Sequence, residues 1–341
     1  MRSIALVVIL ALCPSPLLAA LISVPADYPT IFEGVGAAVS GDIVEVAPGQ
    51  YYDCTHLPEG YSAPYYCVIM KSGVTLRGAT GDPADVVIDA EGIGKGIACG
   101  TDGNGVSDVV IEGVSIVNGC CSQGNAITVS EHSSVSIYNC IFAFNQGNYG
   151  GAVSAQLDCT LIVTGCLFDR NNSVLGAGLY LFGGGGWIST ATVSNCTFTR
   201  NSATAGGWDA AGGGAFVYGS GLHASFANCL FAFNAQGAAI GTDPSSPVGQ
   251  LSVTCTDIFG NAGGDWVNIV AGQAGVSGNL SADPEFCDLI GSGDFALRSD
   301  SPCAPGNHPD GWDCGLIGAL DVGCEAVSAE AASWSRVKSL Y

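Results

Sequence analysis

The sequence predicts an all-β solenoid of about eight or nine stacked coils, closed at its start by a short helix. Three observations support this fold class. A cysteine-centred segment recurs at intervals of 26 to 33 residues. Within each segment apolar and polar residues alternate with a period of two, which is typical of β-strands. Glycine supplies 50 of the 341 residues, and its cost of roughly 1 kcal/mol per helical site disfavours a long helical bundle.

Composition and charge exclude two broad classes of protein. Hydrophobic residues make up 48% of the chain, which is enough to bury a large core and excludes a disordered protein. Asp and Glu number 30 against 9 Lys and Arg, so the formal charge is −21. Such a chain cannot build a basic face for a polyanion, and we therefore expect no nucleic-acid partner.

The first 20 residues have the pattern of a signal peptide. Arg2 supplies the positive start, Ile4 to Leu12 the apolar centre, and Leu18 to Ala20 a cleavage site of mostly small residues. The apolar segment is shorter than the ~20 residues that span a bilayer, and we expect no transmembrane span. The sequence therefore predicts an exported protein, extracellular or at the cell surface, where disulfides persist.

A short helix is predicted soon after this leader. Thr30 and Glu33 form a capping-box pattern. One face of the following turns is apolar and consists of Ile31, Phe32, Val35, Ala38 and Val39. We expect this face to close the bottom of the first coil, because an open coil exposes strand edges.

The repeat unit is centred on a cysteine, with phenylalanine two residues later and asparagine five residues later. The aligned cysteines are Cys140, Cys166, Cys196, Cys229 and Cys255. The phenylalanines are Phe142, Phe168, Phe198 and Phe231, and the asparagines are Asn145, Asn171, Asn201 and Asn234. Asn261 follows Cys255 by six residues, so the last unit is irregular. Insertions at Gly183–Gly186 and after Asn201 explain the two longer intervals, since solenoids vary in their turns.

Equivalent residues that recur in every coil should stack on one another. We expect an internal ladder of the four phenylalanines and a second ladder of five buried cysteine thiols. Successive coils should rise by ~4.8 Å, the spacing between strands in a sheet.

The asparagine column resembles the asparagine ladder of the right-handed parallel β-helix proteins of the pectate-lyase-like superfold. The segment Thr30 to Tyr52, which contains Gly41-Asp42-Ile43-Val44-Glu45-Val46-Ala47-Pro48-Gly49-Gln50-Tyr51, resembles that family's N-terminal segment. Asp294-Phe295-Ala296-Leu297 with Ser301-Pro302-Cys303 resembles its closing segment. The resemblance covers about Ile22 to Cys324 and implies a right-handed parallel β-helix.

Three parts of the chain follow from these patterns. Residues 1–20 are the predicted signal peptide, and residues 21–324 the β-helix with its N-terminal cap and C-terminal closing loops. Residues 325–341 form a tail with Trp334, Arg336, Lys338 and Tyr341. The tail is interpreted either as a sorting or attachment signal or as a disordered end.

Cysteine pairing is predicted outside the thiol ladder. Of the 16 cysteines, Cys13 lies in the leader and five lie in the ladder, which leaves an even number. We expect the pairs Cys54–Cys67, Cys314–Cys324 and Cys287–Cys303. Cys99 is expected to pair with Cys120 or Cys121, which the sequence does not separate.

The outer face of the stacked strands is where the resemblance implies that family enzymes work. Alternation turns outward the residues Asp108, Val110, Glu112, Ser134, Ser136, Tyr138, Thr160, Ile162, Thr164, Thr190, Thr192, Ser194, His223, Ser225 and Ala227. Most carry hydroxyls, and the carboxylates of Asp108 and Glu112 lie at one end near Tyr138. These two acids are the candidate pair for acid–base chemistry, against the simpler interpretation of solvated strand ends.

No metal or cofactor is expected. The resemblance implies that polysaccharide lyases of the family need clustered acidic calcium ligands beside a basic residue, and no such cluster is visible in the sequence. The four histidines lack metal-ligand spacing, and no Cys-x-x-Cys stands near them.

The column before the asparagines reads Phe144, Arg170, Arg200 and Phe233. Strict alternation would turn both arginines into the core, and two buried guanidiniums ~5 Å apart would be too costly. We therefore expect the chain to leave the strand here, with both arginines in solvent between phenylalanine faces. Asp169 is the nearest counter-charge.

A contact site is predicted in the insertion at about Ser202 to Gly212. It projects Trp208 and Asp209, and an indole beside a carboxylate suits a sugar ring. The alternative is that Trp208 folds back and covers the glycine-rich coil.

The predicted function is that of an exported, non-catalytic scaffold that recognises glycans or other cell-surface components. The alternative is a carbohydrate-active enzyme, namely a polysaccharide lyase, esterase or hydrolase. That alternative rests on the resemblance, because a fold does not determine a function.

Overall fold

The computed structural model describes residues 19–325 except 57–64, 102, 122–124, 131, 185, 206–210, 247 and 290–292. The chain winds as a β-solenoid of parallel strands in about nine turns, with a nine-stranded sheet along one side. The predicted fold class is confirmed. Most of the predicted leader, and the predicted tail beyond Glu325, lie outside the described residues.

The first sheet has nine parallel strands and carries the outer face discussed below. With strands numbered in chain order, it consists of β1 Leu21–Val24, β2 Ile43–Val46, β5 Thr75–Gly78, β8 Val109–Glu112, β11 Ser134–Tyr138, β15 Thr160–Thr164, β19 Ser189–Ser194, β23 Leu222–Ala227 and β26 Gln250–Thr254.

Two further parallel sheets complete each turn. The second has eight strands, β3 Gly49–Tyr51, β6 Val86–Asp89, β9 Ser115–Val117, β12 Ile141–Ala143, β16 Leu167–Asp169, β20 Thr197–Thr199, β24 Leu230–Ala232 and β27 Asp257–Phe259. The third has seven, β4 Tyr66–Ile69, β7 Lys95–Cys99, β10 Ile127–Val129, β14 Val153–Ala155, β18 Leu179–Phe182, β22 Ala215–Tyr218 and β25 Ile240–Gly241.

Smaller elements lie at the turns and at the C-terminal end. One short sheet contains β13 Gln146–Tyr149, β17 Asn172–Leu175 and β21 Ser202–Ala203, and another contains β28 Phe286–Asp288, β29 Asp294–Arg298 and β30 Val322–Cys324. A 3₁₀ helix spans Asn268–Gln273. Within the described ranges no helix is long and apolar enough to cross a bilayer.

The N-terminal helix α1 spans Ile31–Ala37 and begins as the capping box predicts. The Thr30 hydroxyl accepts a hydrogen bond from the Glu33 backbone N–H at 3.1 Å. Ile31, Val35 and Ala38 are buried against the first turn, whereas Val39 is 45% exposed. The helix therefore covers the open end of the solenoid with a narrower apolar face than the sequence predicts.

The phenylalanine ladder forms as expected. Ring centroids of Phe142 and Phe168 lie 4.9 Å apart, and the next two steps, to Phe198 and Phe231, are 4.5 Å each. All four rings are fully buried. The spacing matches the ~4.8 Å separation of neighbouring strands, so one aromatic column fills the core of four turns.

The asparagine ladder also forms and extends over five coils. The ladder consists of Asn145, Asn171, Asn201, Asn234 and Asn261. The side-chain Nδ2 of each asparagine donates a hydrogen bond to the Oδ1 of the next one, and the four distances are 3.0, 3.0, 3.0 and 2.6 Å in chain order. Each Oδ1 also accepts from a backbone N–H of the preceding coil. These amides thus satisfy turn groups that would otherwise be buried without partners.

The predicted alignment of Cys255 is wrong by one residue. Thr254 pairs with Ala227, so Thr256 stands in the column of Cys229 and its hydroxyl accepts from the Cys229 N–H at 3.3 Å. Cys255 instead takes the left-handed turn position of Asn228, with a φ of 46°. Thr256 lies five residues before Asn261, which removes the irregularity seen in the sequence.

The disulfides follow the predicted pattern in part. Cys54 is joined to Cys67, as expected. The expected pair Cys314–Cys324 is wrong: Cys314 is joined to Cys255, and Cys324 to Cys287. β28 and β30 flank β29 in one small sheet, which brings Cys287 and Cys324 together.

Two predicted disulfide partners are buried thiols instead. Cys303, expected to pair with Cys287, points inward and contacts the Asp257 carboxylate at 3.2 Å. Cys99 lies inside the third sheet beside Val129, and its expected partners Cys120 and Cys121 are joined to each other. The side chains of Cys99 and Cys303 are both buried in the core, away from the cysteines with which they were expected to pair.

A C-terminal strap, residues 314–319, runs along the outside of the turns that follow the first sheet. Asn195 Nδ2 donates to Leu316 O at 2.8 Å, and Asn228 Nδ2 donates to the carbonyls of Leu316 and Cys314. Cys255 holds the same strap covalently through Cys314. The closing region therefore fastens along the side of the solenoid.

The arginine column leaves the strand as predicted. Arg170 and Arg200 have φ values of 51° and 55°, in the left-handed region. Arg170 is exposed and stacks on Phe144 at 5.4 Å. Arg200 differs from the prediction, because it is covered by the closing region: it binds Asp169 through two 2.7 Å bonds and stacks on Phe295 at 4.5 Å.

Candidate functional site

The outer face of the first sheet carries the predicted alternation. In β15 and β19 inward residues are buried, while outward residues such as Thr160, Thr190 and Thr192 are exposed. The strand register places hydroxyl residues of neighbouring coils beside one another: Ser134 pairs with Thr160, and Thr160 with Thr190. A one-residue slip would bury this polar face, so the buried face specifies the register.

A row of four charged and phenolic side chains crosses the early strands of this face. Glu45 on β2 pairs in register with Arg77 on β5, Arg77 with Glu112 on β8, and Glu112 with Tyr138 on β11. Because neighbouring strands lie ~4.8 Å apart, the four side chains form one continuous line along the solenoid axis. Arg77 Nη2 donates to Glu45 Oε1 at 2.8 Å.

A turn beside this row forms one wall of an open cleft. The wall consists of residues 78–81, and Asn139 Nδ2 donates to Gly81 O at 2.6 Å, which ties the wall to β11's turn. An added Cβ at Gly78 would lie 2.0 Å from Gly113 O, so glycine is needed for the close approach of the two turns. The cleft has a volume of about 400 Å³.

The cleft is open to solvent, and its charges are only partly covered. The Arg77 and Glu45 side chains are 35% and 27% exposed. With Glu112 beside Arg77, the row holds two carboxylates and one guanidinium. It therefore offers fixed hydrogen-bond donors, acceptors and one aromatic ring to a ligand rich in hydroxyls.

Hydroxyl side chains continue the face beyond the cleft. Thr164 and Ser194 share a hydrogen bond at 2.9 Å, and Thr190 donates to Thr160 at 3.2 Å. These pairs fix the hydroxyl positions on neighbouring coils. The later coils thus present a regular polar surface without formal charge.

The predicted site residues divide into three groups. Glu112 and Tyr138 lie together in the cleft. Asp108 lies at the other end of β8, where its N–H donates to Ser134 Oγ, so it does not form a pair with Glu112. Trp208 and Asp209 lie outside the described residues.

Sequence reasoning missed Glu45 and Arg77. They fall on the outer face by alternation, but paired residues are 32 apart between β2 and β5 (43 and 75) and 35 apart between β5 and β8 (75 and 110), against 26 between β8 and β11 (109 and 135). Without a constant interval, the early strands could not be aligned with Glu112. The Gly78 and Gly113 turn positions, one residue after Arg77 and Glu112, are a signal that could have aligned them.

The row of charged side chains does not have the geometry of a metal site. In the described part of the chain, no three His, Cys, Asp or Glu side chains converge as a metal site would require. Arg77 occupies the position between the two glutamates and is bonded to one of them.

The match to a family model agrees with the fold described above. A family model described as "Right handed beta helix region" matches residues 70–267. The crystal structure of the pectate lyase Pel9A superimposes with a TM-score of 0.41 at 13% identity, over 85% of this chain and 90% of that one. No curated protein matches the sequence.

Proposed function

This chain belongs to the right-handed β-helix family, and we propose that it is a non-catalytic member that binds neutral glycans in the cleft of its first sheet. The row of Glu45, Arg77, Glu112 and Tyr138 is the single observation that carries this proposal. Glycan hydroxyls both donate and accept hydrogen bonds, and the row supplies partners of both kinds.

The cleft is organised before any ligand arrives. The Glu45 carboxylate holds the Arg77 guanidinium, and the guanidinium has further N–H groups for a ligand oxygen. The Glu112 carboxylate accepts hydrogen bonds from sugar hydroxyls, and the Tyr138 ring offers an apolar surface for a sugar's C–H groups. A ligand therefore loses little affinity to side-chain ordering.

Charge selects the class of glycan. The chain carries a formal charge of −21, and the row itself holds two carboxylates against one guanidinium. An anionic polysaccharide would be repelled by this field, most strongly at low salt. Neutral sugars are not subject to this repulsion.

An exported location fits this role. Four disulfides in the described residues are typical of an oxidising compartment. Together with the leader pattern of residues 1–20, they support a secreted or cell-surface protein that meets polysaccharides outside the cytoplasm.

Calorimetric titration with neutral hexasaccharides tests the proposal. Cellohexaose, xylohexaose and mannohexaose serve as probes, with hexagalacturonate as the anionic comparison. We expect at least one neutral probe to bind and Arg77→Ala and Glu112→Gln each to weaken it by about tenfold, the loss of one charged hydrogen bond. Thr192→Ala, an exposed change on β19, is the matched control. Equal affinity of the cleft variants and wild type would refute the site.

A hydrolase is the second candidate. Glu45 and Glu112 flank Arg77 two strands apart, which places their Cα atoms about 9.6 Å from each other. Glycoside hydrolases use two carboxyl groups on either side of the scissile bond, and these two glutamates would supply them. Chromatography of the same oligosaccharides after incubation separates the two functions. Shorter products that Glu112→Gln abolishes would establish the hydrolase.

A further inference from the structure

A second surface cluster lies at the opposite edge of the same sheet. Trp187, Asp158 and His132 come from three successive turns, just before the outward residues of β19, β15 and β11. The five residues of β11 separate His132's edge from Tyr138's edge, a distance of about 17 Å. This cluster is therefore distinct from the cleft, and the sequence analysis did not identify it.

The Trp187 indole is held on a short glycine-rich loop. Gly221 N donates to Gly183 O at 2.9 Å, Ser189 N to Gly221 O at 3.0 Å, and Trp187 N to Gly184 O at 3.2 Å. An added Cβ at Gly183 would lie 2.4 Å from the Gly221 carbonyl carbon, so the loop fits closely against the next turn. The insertion that lengthens this coil thus presents an indole that is 45% exposed.

Two polar side chains lie beside this indole. His132 Nδ1 and Asp158 Oδ2 are 3.0 Å apart, and the His132 and Trp187 rings form a T-shaped contact with centroids 4.7 Å apart. Because a carboxylate accepts, Nδ1 is the donor in this contact, and in the Nδ1–H tautomer Nε2 is an acceptor. The side chains of His132 and Asp158 are 48% and 40% exposed, so a ligand reaches both.

We propose that Trp187, Asp158 and His132 form a second sugar-binding site, specific for a neutral pyranose. The indole face packs on the C–H groups of the sugar ring, while Asp158 Oδ1 and His132 Nε2 accept hydrogen bonds from two neighbouring sugar hydroxyls. The assignment of a glycan ligand rests on the proposed function, but the site does not use any residue of the cleft.

The chemistry favours a sugar over a protein partner. A stable protein interface buries about 800 Å² on each side, with an apolar centre. Here the exposed apolar surface is limited to Trp187 and its neighbours Ile188 and Leu157, and beside it lies a His–Asp pair that can accept hydrogen bonds from hydroxyl or amide donors. A single sugar ring satisfies both features within the area of three side chains.

Tryptophan fluorescence and calorimetry with cellohexaose, xylohexaose and mannohexaose test the site in the full chain. We expect Trp187→Ala to weaken binding of the preferred probe by at least about tenfold, Asp158→Ala by a few fold, and Trp187→Phe by less than Trp187→Ala, because stacking persists. Trp312→Ala, an indole that is 49% exposed on the C-terminal region, is the matched control. The melting temperature of each variant should equal that of wild type, since these side chains are exposed.

The outcomes separate this site from the cleft. Weakened binding in Trp187→Ala but not in Trp312→Ala, together with loss of the ligand-induced emission change in Trp187→Phe, supports the inference. If Arg77→Ala weakens binding and Trp187→Ala does not, the inference is wrong and the proposed function stands. If Trp187→Ala weakens binding and Arg77→Ala does not, the cleft is wrong and this site stands. A wild-type protein that binds none of the probes overturns both.

Discussion

At the scale of single residues, the ladder asparagines have a large predicted effect on stability. Asn201 Nδ2 donates to Phe168 O and to Asn234 Oδ1, and its Oδ1 accepts from the N–H and side chain of Asn171. Asn201→Ala leaves these buried groups unpaired, and each such group costs about 1–3 kcal/mol. We expect the free energy of unfolding to fall by at least about 2 kcal/mol in urea denaturation. Asn172→Ala is the control, because its side chain is exposed; equal losses in the two variants would contradict the ladder's role.

A buried acid gives a second prediction at this scale. Burial raises the pKa of Asp257 to about 7, although the Ala282 N–H and the Cys303 thiol stabilise its charged form. The folded protein therefore holds a proton that the unfolded chain releases near pH 4, so stability falls as pH rises from about 4 to about 7. Asp257→Asn should remove this fall in melting temperature between pH 4 and pH 7. The backbone hydrogen bonds from Val39 and Ala20 lower the pKa of Asp42, so this carboxyl affects stability only below about pH 4. A wild-type melting temperature that is constant from pH 4 to pH 7 would count against the burial of Asp257.

At the scale of elements, the strap of residues 314–319 is fastened by one turn column. Asn195 and Asn228 bind its carbonyls, and Cys255, at the next position of that column, bonds Cys314. Peptide mapping of the unreduced protein should recover Cys255 linked to Cys314 and Cys287 linked to Cys324. Cys140, Cys166 and Cys196 should react with iodoacetamide only after denaturation, since burial raises their pKa values. A Cys314–Cys324 peptide, or native labelling of these thiols, would contradict the arrangement.

The same elements show what the sequence could and could not predict. The phenylalanine and asparagine ladders were predictable because they recur at nearly constant intervals and at fixed distances from one another. Cys255 was misaligned because residue identity was used as the guide, whereas the backbone column is defined by the left-handed turn position. The closing region has no repeat, so its disulfide partners depend on tertiary packing that no local pattern encodes. Arg77 and Glu45 were missed for a related reason, because long early turns interrupt the periodicity.

At the scale of the whole molecule, the solenoid fixes the distances between side chains on its outer face. Parallel register places Glu45, Arg77, Glu112 and Tyr138 on consecutive strands, and the strand spacing alone determines their separation. The core that sets this register is continuous from the N-terminal helix to the last coil. The site therefore needs no loop closure to assemble, and it should have the same geometry with and without ligand.

A crystal structure with the preferred neutral hexasaccharide bound is the most direct test of this account. We predict density for sugar along the first sheet, with hydroxyl oxygens about 2.7–3.2 Å from polar atoms of Arg77, Glu112 and Tyr138. A hexasaccharide bound elsewhere, with this cleft empty, would contradict the central claim.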